Sequence, residues 1–104
     1  MSVVSVYAIF ADSEEAERIG RAVVEDRLAA CINILGPVHS IYRWKGKVQT
    51  ADEVAAIFKT SDQSAGALMT RIAGLHSYTV PCVVAWPVDK VLQSYAQWVD
   101  DSVG

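Results

Sequence analysis

Residues 3–11, Val-Val-Ser-Val-Tyr-Ala-Ile-Phe-Ala, form an almost unbroken apolar run rich in β-branched and aromatic side chains. This is the pattern of a strand covered on both faces. Asp12 and Glu15 then have the spacing of a capping box. Beyond them Ala16, Ile19, Val23, Val24 and Leu28 recur at steps of three and four, while Glu14, Glu17, Arg18, Arg21 and Glu25 take the other face. A helix running to about Leu28 is predicted. Residues 30–44 return to a period of two, with Val38, Ser40, Tyr42 and Trp44 on one face and His39, Ile41 and Arg43 on the other. Gly36-Pro37 interrupts the run, and a proline gives no donor to a central ladder. The pair therefore predicts a bulge or bend in a strand near an edge. Lys45-Gly46 reverses the chain, and residues 47–60 are extended again, making a long hairpin. Ser61 or Asp62 caps a second helix whose stripe is Ala65, Leu68, Met69, Ile72 and Leu75. Residues 80–86 are a third apolar strand-like run with Pro81 at its start, where a missing donor is tolerated. After Pro87 a helix around residues 93–103 presents Tyr95, Trp98 and Val99 on one side.

The order β-α-β-β-α-β plus a terminal helix is that of a ferredoxin-like α+β domain. It implies an antiparallel sheet in the order 4-1-3-2 with the first two helices on one face. Two hairpin strands of about 13 residues at roughly 3.3 Å each span on the order of 43 Å. A compact domain of this length has a diameter of roughly 34 Å. The hairpin must overshoot its own domain, carrying Ile41, Tyr42, Trp44 and Val48 beyond the core. An apolar ribbon with bare edges calls for a covering chain, so self-association in closed cyclic symmetry is predicted.

The 104 residues, 52% of them hydrophobic and 20% charged, fit one domain with a real core. Nine Lys and Arg against twelve Asp and Glu leave a net charge of −3 with no basic cluster. Nucleic acid and anionic membranes are thereby excluded as expected partners, since both are held by concentrated positive charge. No apolar run reaches the roughly 20 residues of a membrane helix, and no signal-peptide pattern opens the chain, so a cytoplasmic location is expected. Cys31 and Cys82 show no C-x-x-C pairing. The strand order puts them on opposite edges of the sheet, where free thiols are predicted.

A ferredoxin-like domain hosts many functions, so the residues must decide. The loop Ala11-Asp12-Ser13 has neither the glycines nor the arginine of a phosphate site, and no cysteine of a soft-metal carrier. Tyr7 and Phe58 lack the basic surroundings of an RNA-binding sheet, and no serine sits in a nucleophile elbow. What remains is His76 with Cys82, the only His/Cys pair close in sequence, whose imidazole and thiolate suit copper or zinc. The alternative for His76 is a helix-end histidine that bonds to backbone, and for Cys31 a buried structural thiol. His39 reads as a solvent-facing strand residue. Tyr42, Trp44, Tyr78, Trp86, Tyr95 and Trp98 are numerous enough to line a pocket, with interface and core packing as their alternative.

Four groups of residues occur in an order that resembles the divalent-cation tolerance proteins, the CutA family. They are Arg27-Leu28-Ala29-Ala30-Cys31-Ile32-Asn33-Ile34, Ser40-Ile41-Tyr42-Arg43-Trp44-Lys45-Gly46-Lys47-Val48, Lys59-Thr60, and His76-Ser77-Tyr78 with Val80-Pro81, followed by Tyr95 and Trp98. The resemblance implies a tight homotrimer of ferredoxin-like subunits, similar in architecture to PII signalling proteins. It further implies a link to tolerance of Cu2+ and other divalent cations, and it brings no enzymatic reaction and no organic cofactor. It places His76 and Cys82 as candidate metal ligands and Cys31, Tyr42, Trp44, Lys59, Tyr78 and Trp98 at a trimer interface or inter-subunit pocket. The family pattern after the histidine carries carboxylates, where this chain has Ser77, Thr79 and Cys82. Two other functions fit the same resemblance: a PII-like module holding a small ligand between subunits, and a purely structural or anchoring trimer.

Overall fold

A computed structural model describes residues 2–104. The elements are β1 (Val3–Phe10), α1 (Ser13–Glu25), β2 (Cys31–Trp44), β3 (Lys47–Ser61), α2 (Asp62–Leu75), β4 (Val83–Pro87) and α3 (Gln93–Ser102). All strand pairs are antiparallel and the sheet order is β2-β3-β1-β4, as the ferredoxin-like pattern requires. Val4, Val6, Ala8 and Phe10 of β1 and Val54, Ala56 and Phe58 of β3 share one face. There they pack against Ala16, Ile19 and Val23 of α1 and Leu68 and Ile72 of α2. Gly20 brings α1 close to the sheet, since a Cβ built on it lies 2.7 Å from Ile32 Cδ1 and 2.9 Å from Ile32 Cγ2.

The third helix goes to the opposite face. Ala96 and Val99 cover Val3 and Ala30 there, with Tyr95, Val88 and Val103 around them. Arg27 fastens this arrangement: its guanidinium donates to the backbone oxygens of Asp101 (2.9 Å) and Gly104 (3.3 Å), and its own carbonyl accepts from Gly104 N–H (3.0 Å). Toward the β4 edge of that face Val84 and Trp86 remain exposed.

Three boundaries differ from the expected ones. The first strand ends at Phe10, and α1 stops at Glu25 because Arg27 turns left-handed (φ 60°) and Leu28 N–H returns to Val23 O at 3.0 Å. β4 begins only at Val83, so residues 80–82 belong to the loop after α2, with Cys82 O accepting from Ile9 N–H at 3.2 Å. The bulge is where Gly36-Pro37 put it: the β2–β3 register shifts between Ile34 and Gly36, and Gly36 has φ 111°, which a Cβ would strain. Lys45 (φ 51°) and Gly46 (φ 79°) form the two-residue turn with both φ positive that matches hairpin twist.

The ladder between β2 and β3 runs out to Trp44↔Lys47, whereas β1 covers β3 only from Val54 to Ser61. The far half of the hairpin therefore projects from the body, and the molecule measures 45 × 26 × 22 Å.

Candidate functional site

His76 follows the last residue of α2, and its side chain is fully buried. Nδ1 accepts from Tyr78 N–H at 3.0 Å, so Nε2 carries the hydrogen and donates to Ile9 O at 2.7 Å. The ring also stacks on Phe10 at 5.3 Å between centroids. Both nitrogens are thus engaged within the chain, and the imidazole joins the end of β1 to the 77–82 loop.

Beside it stands Glu15, which the capping pattern brought to the helix start and the loop then uses. Its N–H donates to Asp12 Oδ1 at 2.8 Å, closing half of the predicted box. Its carboxylate turns further back than a capping box requires, accepting from Ala11 N–H (3.0 Å) and, on the other oxygen, from Ser77 N–H (2.9 Å). Burial would push this carboxyl up. The hydrogen bonds from Ser77 and Ala11, aided by His76, outweigh it and hold the group below its ordinary range.

The loop and the hairpin enclose a cleft of about 630 Å³ lined by Ile9, Ser40, Tyr42, Trp44, Gln49, Glu53, Ser77, Tyr78, Thr79, Val80 and Cys82. The β2–β3 register explains its floor, because Tyr42↔Gln49 and Val38↔Glu53 are facing pairs and place these side chains on one face. Tyr78 O–H donates to Glu53 Oε2 at 2.7 Å. Burial, then the bond to Glu53, raises the Tyr78 hydroxyl far above its usual range. Burial and the Glu53 charge likewise push the Cys82 thiol up, so that it stays protonated at neutral pH.

The sequence-predicted residues are thus divided. Tyr42, Trp44, Tyr78 and Cys82 meet in the cleft, but His76 is not on its lining. The expected pairing of His76 with Cys82 as metal ligands rests on a thiol on the cleft lining and an imidazole behind it, whose nitrogens lie 2.7 Å from Ile9 O and 3.0 Å from Tyr78 N; among the described residues of one chain no group of three or more His, Cys, Asp or Glu is placed to hold a metal ion. Cys31 and Trp98 line a separate depression beside α1 with Gly20, Arg21 and Ile32, and Lys59 pairs with Cys31 across the sheet. Cys31 Sγ and Tyr95 Oη are 3.5 Å apart, and burial, then this contact, takes the Tyr95 hydroxyl up to about 12. His39 is exposed and bonded to Asp52 at 2.9 Å, as a solvent-facing strand residue. Glu15 and Glu53 were missed. Glu53 had a signal, since it shares the odd-numbered face of β3 with Ala55 and Ile57 and is the only acid on that side of the buried run.

The family model for the CutA1 divalent ion tolerance protein matches residues 4–102. The chain belongs to this family. Among CutA relatives, the divalent-cation tolerance protein CutA of Archaeoglobus fulgidus is 38% identical over 98 residues, which are 94% of this chain and 95% of that one. The Thermus thermophilus CutA is 41% identical over 100 residues, 95% of this chain and 97% of that protein. The crystal structure of CutA from Xylella fastidiosa superposes with a TM-score of 0.96 at 34% identity, covering 100% of both chains. A structure described as the periplasmic divalent cation tolerance protein CutA from Archaeoglobus fulgidus gives a TM-score of 0.94 at 36% identity, covering 98% of this chain and 99% of that one. The fold and the resemblance read from the residue blocks are those of the CutA family.

Proposed function

We propose that this CutA-family chain is a non-enzymatic homotrimer that serves in divalent-cation tolerance and holds Cu2+ weakly, through Cys82 and ligands completed by a neighbouring subunit or water. The observation that carries the assembly is the uncovered apolar surface. Ile41 (69% exposed), Val48 (65%), Tyr42 (39%) and Trp44 (40%) lie on the projecting hairpin, and Val84 (47%) and Trp86 (43%) on the open sheet face. Apolar area of this kind, continuous with unpaired strand edges, is stabilised by a second copy of the chain. Three copies related by a cyclic axis let each hairpin lie on the next subunit's sheet. Sedimentation at low micromolar concentration is expected to give about three times 11.3 kDa, and a stable monomer would sink the reading.

Weak copper binding follows from the ligand chemistry. A soft thiol favours copper over magnesium or calcium, but it must lose a proton held by burial and by Glu53. Calorimetric titration of Cu(II), with thiol content measured before and after, is expected to show micromolar or weaker binding that Cys82→Ser removes and His76→Ala leaves in place. Loss with His76→Ala in a folded trimer would return the imidazole to the metal shell. Free thiols at Cys31 and Cys82 fit a reducing compartment, which supports a cytoplasmic location. Cell fractionation tests it.

A further inference from the structure

Glu53 is a buried carboxylate without a cation. It is 9% exposed, its Oε2 accepts from Tyr78 O–H, and it belongs to none of the ion pairs among the described residues. No Lys, Arg or His lines the cleft into which it is built, so its charge is the one formal charge on the lining. A desolvated anion is costly unless paired. Its field already reaches its neighbours, because the Glu53 charge adds to burial in keeping both Tyr78 and Cys82 protonated.

The chemistry of the walls selects among cations. Hard divalent ions want about six oxygen ligands and softer ones three or four nitrogen or sulfur donors. The cleft supplies one carboxylate, hydroxyls, an amide and a protonated thiol. It also supplies the rings of Tyr42, Trp44 and Tyr78, and aromatic faces attract ammonium groups, most strongly where water is excluded. An organic ammonium needs no coordination shell, only a counter-charge and ring faces. A cleft of about 630 Å³ is in the range that holds a small metabolite.

We propose that the cleft between the projecting hairpin and the 77–82 loop binds small organic ammonium cations, with Glu53 as counter-charge and Tyr42, Trp44 and Tyr78 as the aromatic wall. This rests on the assembly reading in one respect, that the trimer leaves the mouth of the cleft open to solvent. The probes are choline and its uncharged isostere 3,3-dimethylbutan-1-ol, titrated calorimetrically into the wild-type protein at fixed ionic strength, with the mass of the same sample measured by sedimentation. Saturable choline binding is expected, with the alcohol about tenfold weaker or more. Glu53→Gln, which keeps an acceptor for Tyr78, is expected to weaken choline by a similar factor at unchanged mass. Equal affinity for the alcohol would show an apolar cleft and overturn the proposal. So would a trimer that binds no choline, since a neighbouring subunit then fills the cleft or supplies the cation. A monomeric mass would overturn the assembly reading instead, and the choline-to-alcohol comparison on that monomer would still decide the cleft.

Discussion

At the scale of single residues, Glu15 ties three segments together: the end of β1, the start of α1 and the loop after α2. Its carboxyl, ordinarily near 4.5, is held lower in the folded chain by donors that outweigh its burial. A carboxylate acidified by folding adds stability above the unfolded value, and that stability is lost as pH falls through the folded value. Urea unfolding of the wild type is therefore expected to weaken from about pH 4.5 downward. Glu15→Gln, less stable at neutral pH, should show a flatter acid limb between the two values. Equal acid slopes in the two proteins would place the acid sensitivity elsewhere. The sequence offered Glu15 only as a helix cap, because the second half of its role depends on Ser77, sixty-two positions away. His76 was hidden for the same reason. A histidine at a helix end is compatible with ligation or with backbone bonding, and only the distance to Ile9 O separates the two.

Among the elements, the helices and the hairpin were legible because local pattern and tertiary demand agree. The three- and four-residue steps of α1, the alternation along β2 and the Lys45-Gly46 turn each stand in the structure where the chain signals them. The β4 start was displaced by three residues, since an apolar run shows burial but not where the ladder begins. The side of the sheet taken by α3 was not readable either, as Ala96 and Val99 are apolar whichever face they meet. The close approach of α1 to β2 yields an element-scale prediction. Gly20→Ala places a methyl within 2.9 Å of the branched Ile32 side chain. The gain in helix propensity, about 1 kcal/mol, is outweighed by an overpacking cost of typically 1–3 kcal/mol. A net loss of up to about 2 kcal/mol is expected in denaturant unfolding, and Ile32→Val in the same chain should recover part of it. A stabilised Gly20→Ala would mean that Ile32 swings aside freely.

For the whole molecule, length was the informative quantity. Strand lengths alone implied a hairpin longer than the domain, and the 45 Å long axis agrees. What length could not show was the cleft at the base of the projection, which needs Glu53 and the 77–82 loop on the same side. Trp44, 40% exposed in the single chain, tests the proposed assembly. If its ring is buried between copies, Trp44→Ala should cost roughly 3 kcal/mol per subunit, seen as a lower melting temperature and a concentration-dependent mass. An unchanged mass and melting temperature would leave the ring in solvent.

The position of β1 in the sheet also sets a timetable. It is made before both of its partners, yet it lies between β3 and β4, and Val4 waits for both Thr60 and Pro87 to be synthesised. The hairpin can close as soon as it leaves the ribosome, since its own strands are adjacent in the chain. The most apolar strand cannot be shielded on both edges until β4 has been synthesised. Long-range pairing of this kind slows folding and prolongs exposure of an aggregation-prone segment. The nascent chain is therefore expected to depend on a chaperone that holds residues 3–10 during translation, and ribosome-stalled chains ending before β4 should be protease-sensitive in β1 while the hairpin is already protected.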